Sequence, residues 1–131
     1  MYKLILLLGI WLFSNQVKSQ ATIEFCAAVE DYKCTMRNTK FFTTPDSLFG
    51  KIYTFVKVGE GQGTTQLTYK VYNVISEGNE VLRDEYAQKI ESTWYFAWQP
   101  FTLPSPGKYK VNVYNDKNKL IASKGFEFFT P

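Results

Sequence analysis

The chain has 131 residues, with 15 basic against 12 acidic side chains and no histidine. The missing imidazole excludes Ser-His-Asp and Cys-His catalysis, histidine-ligated zinc and the usual general base near neutral pH. Interspersed, nearly balanced charge gives no long-range pull toward nucleic acid, while 18% aromatic residues among many Val, Thr and Ile make a strand-forming composition.

At the amino terminus Lys3 precedes an apolar run from Leu4 to Phe13, followed by Ser14-Asn15-Gln16 and Val17-Lys18-Ser19. This is the layout of a cleavable secretory signal peptide. The run has about half of the ~20 residues that cross a hydrocarbon core as a helix, so it reads as a leader over residues 1–19 and not as an anchor. Val17 and Ser19 suit the positions before a cut, leaving Gln20 as the new terminus; a cut after Ala21 is the alternative. Removal takes Lys3 and Lys18, and with them two of the three net positive charges. No cysteine stands at the cut to carry a lipid. The expectation is one exported domain, residues 20–131, periplasmic or secreted, soluble and without an integral membrane segment. The absence of a wall-sorting signal, a retention tetrapeptide and an Asn-x-Ser/Thr sequon fits a bacterial protein.

Next along the chain come Cys26 and Cys34. In an oxidising compartment this pair is most simply a disulfide closing a short loop, worth roughly 2–3 kcal/mol. A reducing location would leave two thiols.

Strands are expected near Thr22–Phe25, Lys40–Thr43, Lys51–Val58, Gln66–Val74, Val81–Ala87, Thr93–Phe101, Lys108–Asn115 and Leu120–Phe129. Turn-rich pieces separate them: Thr44-Pro45-Asp46-Ser47, Gly59-Glu60-Gly61-Gln62-Gly63, Ser76-Glu77-Gly78-Asn79, Pro104-Ser105-Pro106-Gly107 and Asn115-Asp116-Lys117-Asn118. Short strands at this spacing indicate an antiparallel sandwich or barrel. Strict alternation assigns Leu67, Tyr69 and Val71 to one core-facing side and Tyr109, Val111 and Val113 to another. Lys124-Gly125 predicts a bulge or an edge before Phe126 and Phe128.

Candidate chemistry is sparse. The adjacent acids Glu30-Asp31 and Asp84-Glu85 would point to opposite faces of a strand, which does not suit paired-carboxylate catalysis. The glycine-rich loop at 59–63 lacks the Lys-Ser/Thr and the following helix of a phosphate cradle. Asn115 to Asn118 lacks the Gly and the distal acid of a calcium loop and reads as a turn. No enzyme, metal or cofactor is expected.

The aromatic segment Trp94-Tyr95-Phe96-Ala97-Trp98-Gln99-Pro100-Phe101 supports two readings. On a strand Trp94, Phe96 and Trp98 share a face, and one reading buries this trio between sheets. The other exposes some rings, Trp98 or Tyr95 together with Tyr72 and Tyr114, as a platform for a sugar ring or a protein partner.

The run Pro106-Gly107-Lys108-Tyr109-Lys110-Val111-Asn112-Val113-Tyr114, then a turn and Leu120-Ile121-Ala122-Ser123, resembles the last two strands of bacterial immunoglobulin-like and fibronectin type III-like modules. The chain is also similar to small exported bacterial proteins that join an N-terminal cysteine segment to such a module. The resemblance implies an all-β, antiparallel two-sheet immunoglobulin-like sandwich of seven to eight strands. It also implies a tyrosine corner at Tyr109. Val111 stands where antibody domains carry their second core cysteine, so their inter-sheet disulfide is absent. A fold that hosts many activities leaves function to its sites. The leading expectation is a non-catalytic interaction module for another exported protein or surface component, using sandwich loops or a sheet edge; the alternative is a carbohydrate-binding domain using the aromatic face.

Overall fold

Period-two apolar patterning needs a second layer to cover each buried face, and the computed structural model supplies it as two stacked sheets. It describes residues 21–42, 50–58, 63–103 and 105–129. The expected leader and its cut, the turn at 44–47 and most of the loop at 59–63 lie outside the described residues. In chain order the strands are β1 Thr22–Glu30, β2 Lys33–Arg37, β3 Lys40–Phe42, β4 Gly50–Lys57, β5 Gln66–Ser76, β6 Asn79–Lys89, β7 Phe96–Leu103, β8 Gly107–Tyr114 and β9 Leu120–Phe129. The first sheet runs β2-β1-β4-β7 and the second β3-β9-β8-β5-β6. Every pairing is antiparallel except β3 with β9.

The chain passes from one sheet to the other at Asn38. Its backbone N–H still bonds the Phe25 carbonyl of β1 at 3.2 Å, and Glu127 of β9 donates to the Thr39 carbonyl at 2.8 Å. The Asn38 side-chain oxygen accepts from the N–H groups of Thr39 and Lys40 and fixes the bend.

Between the sheets, Ile23 and Phe25 of β1, Ile52 and Val56 of β4 and Ala97, Phe101 and Leu103 of β7 face Leu67, Tyr69 and Val71 of β5, Tyr109, Val111 and Val113 of β8 and Phe126 and Phe128 of β9. The two core triplets read from alternation are therefore in place. Tyr109 forms the corner expected of it: buried and stacked on Phe126, it donates its hydroxyl to the Ser105 carbonyl at 2.5 Å. Thr54, on the core face of β4, is fully buried, and its hydroxyl has no hydrogen-bond partner among the described residues.

One expectation is corrected and one resolved. The strand expected over Thr22–Phe25 is longer: β1 runs on to Glu30 and returns as β2 through Asp31 and Tyr32, both left-handed at φ 49° and 61°. Positive φ at both central residues is the two-residue hairpin geometry that matches strand twist. This hairpin adds the ninth strand. Lys124-Gly125 is an edge and not a bulge: the register of β9 with β8 runs unbroken there and shifts instead at Val113/Tyr114, while pairing with β3 on the other side begins only at Glu127. Ala122, Phe126 and Phe128 thus keep one phase. Lys124 shares it and reaches across the open side of the sandwich to the Ile23 carbonyl at 3.2 Å.

Candidate aromatic groove

On β4 the core-facing residues are Ile52, Thr54 and Val56, so Tyr53 and Phe55 point to the outer face of the first sheet. On β7 the core-facing set is Ala97, Phe101 and Leu103, which turns Phe96 and Trp98 outward. Cross-strand register then sets Phe55 opposite Trp98 and Lys57 opposite Phe96. The three rings lie near one another in nearly parallel planes: Phe55 to Phe96 5.4 Å and 23°, Phe55 to Trp98 6.0 Å and 6°, Phe96 to Trp98 6.4 Å and 24°.

A face this apolar requires a cover, and the β1–β2 hairpin provides one. The β1–β4 ladder ends at Cys26 opposite Tyr53. Tyr32 lies six residues further along, yet its ring is 5.7 Å from Trp98, edge-on at 67°, and 6.3 Å from Phe96. Those rings stand in the rows of Glu24 and Thr22, behind Cys26. A straight strand at ~3.3 Å per residue would carry Tyr32 roughly 25 Å past Glu24. The hairpin therefore doubles back over the sheet. That explains why Cys26 and Phe55, both outward by parity, are buried and neither belongs to the inter-sheet core.

The disulfide Cys26–Cys34 fastens the fold-back, with Cα atoms 5.5 Å apart. It is not a rung of the hairpin ladder, since Cys34 stands opposite Val29 and Cys26 opposite Arg37. Met36, left-handed at φ 52°, bends β2 between these rows. An exposed ion pair, Arg37 to Glu24 at 3.3 Å, lies at the base.

Beside the covered rings a half-open hollow of about 480 Å³ is lined by Tyr32, Thr93, Trp94, Tyr95, Phe96 and Trp98. Tyr32 at 69% exposure, Tyr95 at 68% and Trp94 at 45% form its rim, while Phe96 and Trp98 are half-buried. Its inner wall is held from behind. The Val58 N–H donates to the Tyr95 carbonyl at 2.7 Å, Trp94 donates to the Glu91 carbonyl at 3.0 Å, and Gln88 donates to the Trp98 carbonyl at 3.2 Å while accepting from the buried Tyr69 hydroxyl at 2.7 Å.

The structure divides the expected site residues. Trp98 and Tyr95 meet in the groove, and Trp94 joins them ahead of β7 instead of packing between the sheets. Tyr72 and Tyr114 are on the outer face of the second sheet, where Lys110 lies 5.6 Å from the Tyr72 ring and Lys70 lies 5.0 Å from the Tyr114 ring. The Tyr72 phenol is pushed above its ordinary value, first by lost solvent and then by its neighbour Tyr114. A hollow of about 440 Å³ on this sheet is lined by Lys40, Lys108 and Lys110 with Glu80 and Glu127. Lys110 pairs with Glu80, and Lys40 and Lys108 both stand opposite Glu127 in register, leaving three cations against two anions. Tyr32 and Thr93 are the groove residues that sequence reasoning missed, and no local pattern marks Tyr32.

No group of three or more His, Cys, Asp or Glu residues that could hold a metal occurs among the described residues. No helix among them is long and apolar enough to cross a membrane.

No protein-family model matches the sequence, and no curated protein does. Solved structures match it in fold. An immunoglobulin-like protein of Pseudomonas aeruginosa is 17% identical over 86% of this chain and 98% of its own, with a TM-score of 0.52. The soluble domain of PmoD from Methylocystis sp. is 11% identical over 86% of this chain and 92% of its own, at 0.50. A Niemann-Pick type C2 protein from the Japanese carpenter ant is 9% identical over 87% of this chain and 95% of its own, at 0.50. At these identities the likeness is one of fold, and it agrees with the two-sheet architecture above: the chain is an all-β immunoglobulin-like sandwich.

Proposed function

We propose that this chain is an exported, non-catalytic binding module whose recognition surface is the aromatic groove. The observation that carries this reading is the hollow of about 480 Å³ with five aromatic side chains in its lining, on the outer face of a sheet and apart from the core. Rings of this kind anchor a partner through large contact area with few torsions to freeze. The partner is another protein or a surface component outside the cytosol that offers an apolar or ring-bearing group. The second reading, a saccharide ring, is favoured by the exposed Trp94 and Tyr95 rings on the rim, whose faces can stack on a sugar.

Pull-down from an envelope fraction tests the proposal, comparing the natural chain with Tyr95→Ala and Trp94→Ala, two rim residues whose loss leaves the core untouched. A specific protein lost with either variant supports the leading reading. Recovery that is unchanged in both overturns the groove as the surface. Oligosaccharides that shift tryptophan emission in the natural chain and not in Trp94→Ala support the second reading.

A further inference from the structure

The hairpin that walls the groove has few ties to the sandwich beneath it. Its ladder pairs, Ala28 with Thr35, Val29 with Cys34 and Glu30 with Lys33, are internal, as is the bond from the Thr35 hydroxyl to the Ala28 carbonyl. None of residues 27–36 of the hairpin, nor Cys26 at its base, belongs to the inter-sheet core. Three of its residues, Asp31, Tyr32 and Met36, hold left-handed backbone that side chains such as Tyr and Met disfavour. A conformation of that kind persists only while its surroundings impose it. The constraints on the fold-back among the described residues are the ring contacts of Tyr32, tilted on Phe96 and edge-on to Trp98, the exposed Arg37–Glu24 ion pair at the base and the covalent tie of Cys34 to Cys26.

We infer that the Cys26–Cys34 disulfide is a redox latch on the aromatic groove: oxidised, it holds the hairpin over the first sheet with Tyr32 as a wall; reduced, it releases the hairpin and leaves the sandwich folded. The consequence for binding rests on the groove being the recognition surface; the latch itself does not.

The two sulfurs differ in access, which sets the chemistry. Cys26 is fully buried and Cys34 is partly exposed. The thiolate of a dithiol reductant attacks the Cys34 sulfur, forming a mixed disulfide, and Cys26 leaves as a thiolate and takes a proton. The second thiol of the reductant then attacks its own sulfur in the mixed disulfide and releases Cys34. The pair gains two electrons and two protons, and the reductant ends as a disulfide. Release uncovers Phe55 and frees Tyr32, so one walled hollow becomes an open aromatic face.

Amide hydrogen exchange read by mass spectrometry tests the latch without any ligand. The natural chain is compared before and after dithiothreitol, with thiol titration confirming that two thiols appear. Exchange over residues 27–36 is expected to rise at least about tenfold, with β5 and β8 changing less than about twofold. Cys34→Ser should reproduce the reduced pattern, while Tyr32→Ala in the oxidised chain should keep residues 27–36 protected. Unchanged exchange over the hairpin after reduction overturns the latch, and so does a rise spread evenly over β5 and β8, because the bridge would then hold the whole fold. If the hairpin opens as expected but partner recovery is the same in both redox states, the latch stands and the groove reading fails.

Discussion

The two outer faces of the sandwich solve the same problem in opposite ways. On the second sheet Lys70, Tyr72, Lys110 and Tyr114 lie in a field of their own partners: Lys70 pairs with Glu85 at 3.6 Å, Lys110 with Glu80, and each lysine also lies over a tyrosine ring. Long amphipathic side chains cover one another there and leave their polar ends in water. On the first sheet Phe55, Phe96 and Trp98 have no charged partners of that kind among the described residues, and the chain covers them with a folded-back hairpin instead. An outward-pointing residue is therefore not always a solvated one; in part of this molecule the sandwich has a third layer.

The contrast predicts unequal responses to substitution. Phe55→Ala should be the most damaging, about 3 kcal/mol by urea denaturation, because Phe55 is only 4% exposed and packs as a core residue would. A loss below about 1 kcal/mol would show the hairpin to be a loose cover.

Next in size is an alkaline effect centred on Tyr69, a buried phenol whose ionisation burial pushes far above the ordinary range. The fold favours the neutral form, so the stabilisation is complete below the ordinary phenol pKa of about 10 and is lost as pH climbs from there toward the folded value. The urea midpoint should fall as pH rises from about 9 to about 11, more in the natural chain than in Tyr69→Phe. A flat midpoint would argue against burial of that ring.

Tyr109→Phe removes the corner hydroxyl from the Ser105 carbonyl and should destabilise by about 1 kcal/mol. Thr54→Val should move the midpoint the other way by a similar ~1 kcal/mol, since it replaces a buried unpartnered hydroxyl with a methyl group. The smallest effect belongs to the second outer face: Lys110→Ala should change stability by under about 1 kcal/mol, and less still at high salt. A larger loss there would erase the contrast between the faces.

The fold was legible where one side of a strand is plainly apolar. Tyr109, Val111 and Val113 alternate with Lys and Asn, and Leu67, Tyr69 and Val71 with Thr and Lys, so parity assigned the core. In Trp94 to Phe101 both parities carry large rings, and size favoured Trp98 as the buried residue. The later half of β7 carries the better cue, because Phe101 and Leu103 share the parity of Ala97 and not of Trp98. Only a long-range cover makes outward Phe96 and Trp98 tolerable, and no local pattern reports such a cover. Strand β2 escaped for a related reason: the turn before it is Asp31-Tyr32, without the glycine or asparagine that usually marks two left-handed positions. Of the groove, Tyr95 and Trp98 were visible as candidates, whereas Tyr32 enters through tertiary folding alone.

The parallel pairing of β3 with β9, Lys40 to Phe42 alongside Glu127 to Phe129, has a mechanical meaning. Tension applied to the start of β3 and the end of β9 slides two parallel strands along each other, so all their hydrogen bonds must stretch together. An antiparallel hairpin pulled at its open end surrenders them one by one. This short seam therefore has the geometry of a shear clamp.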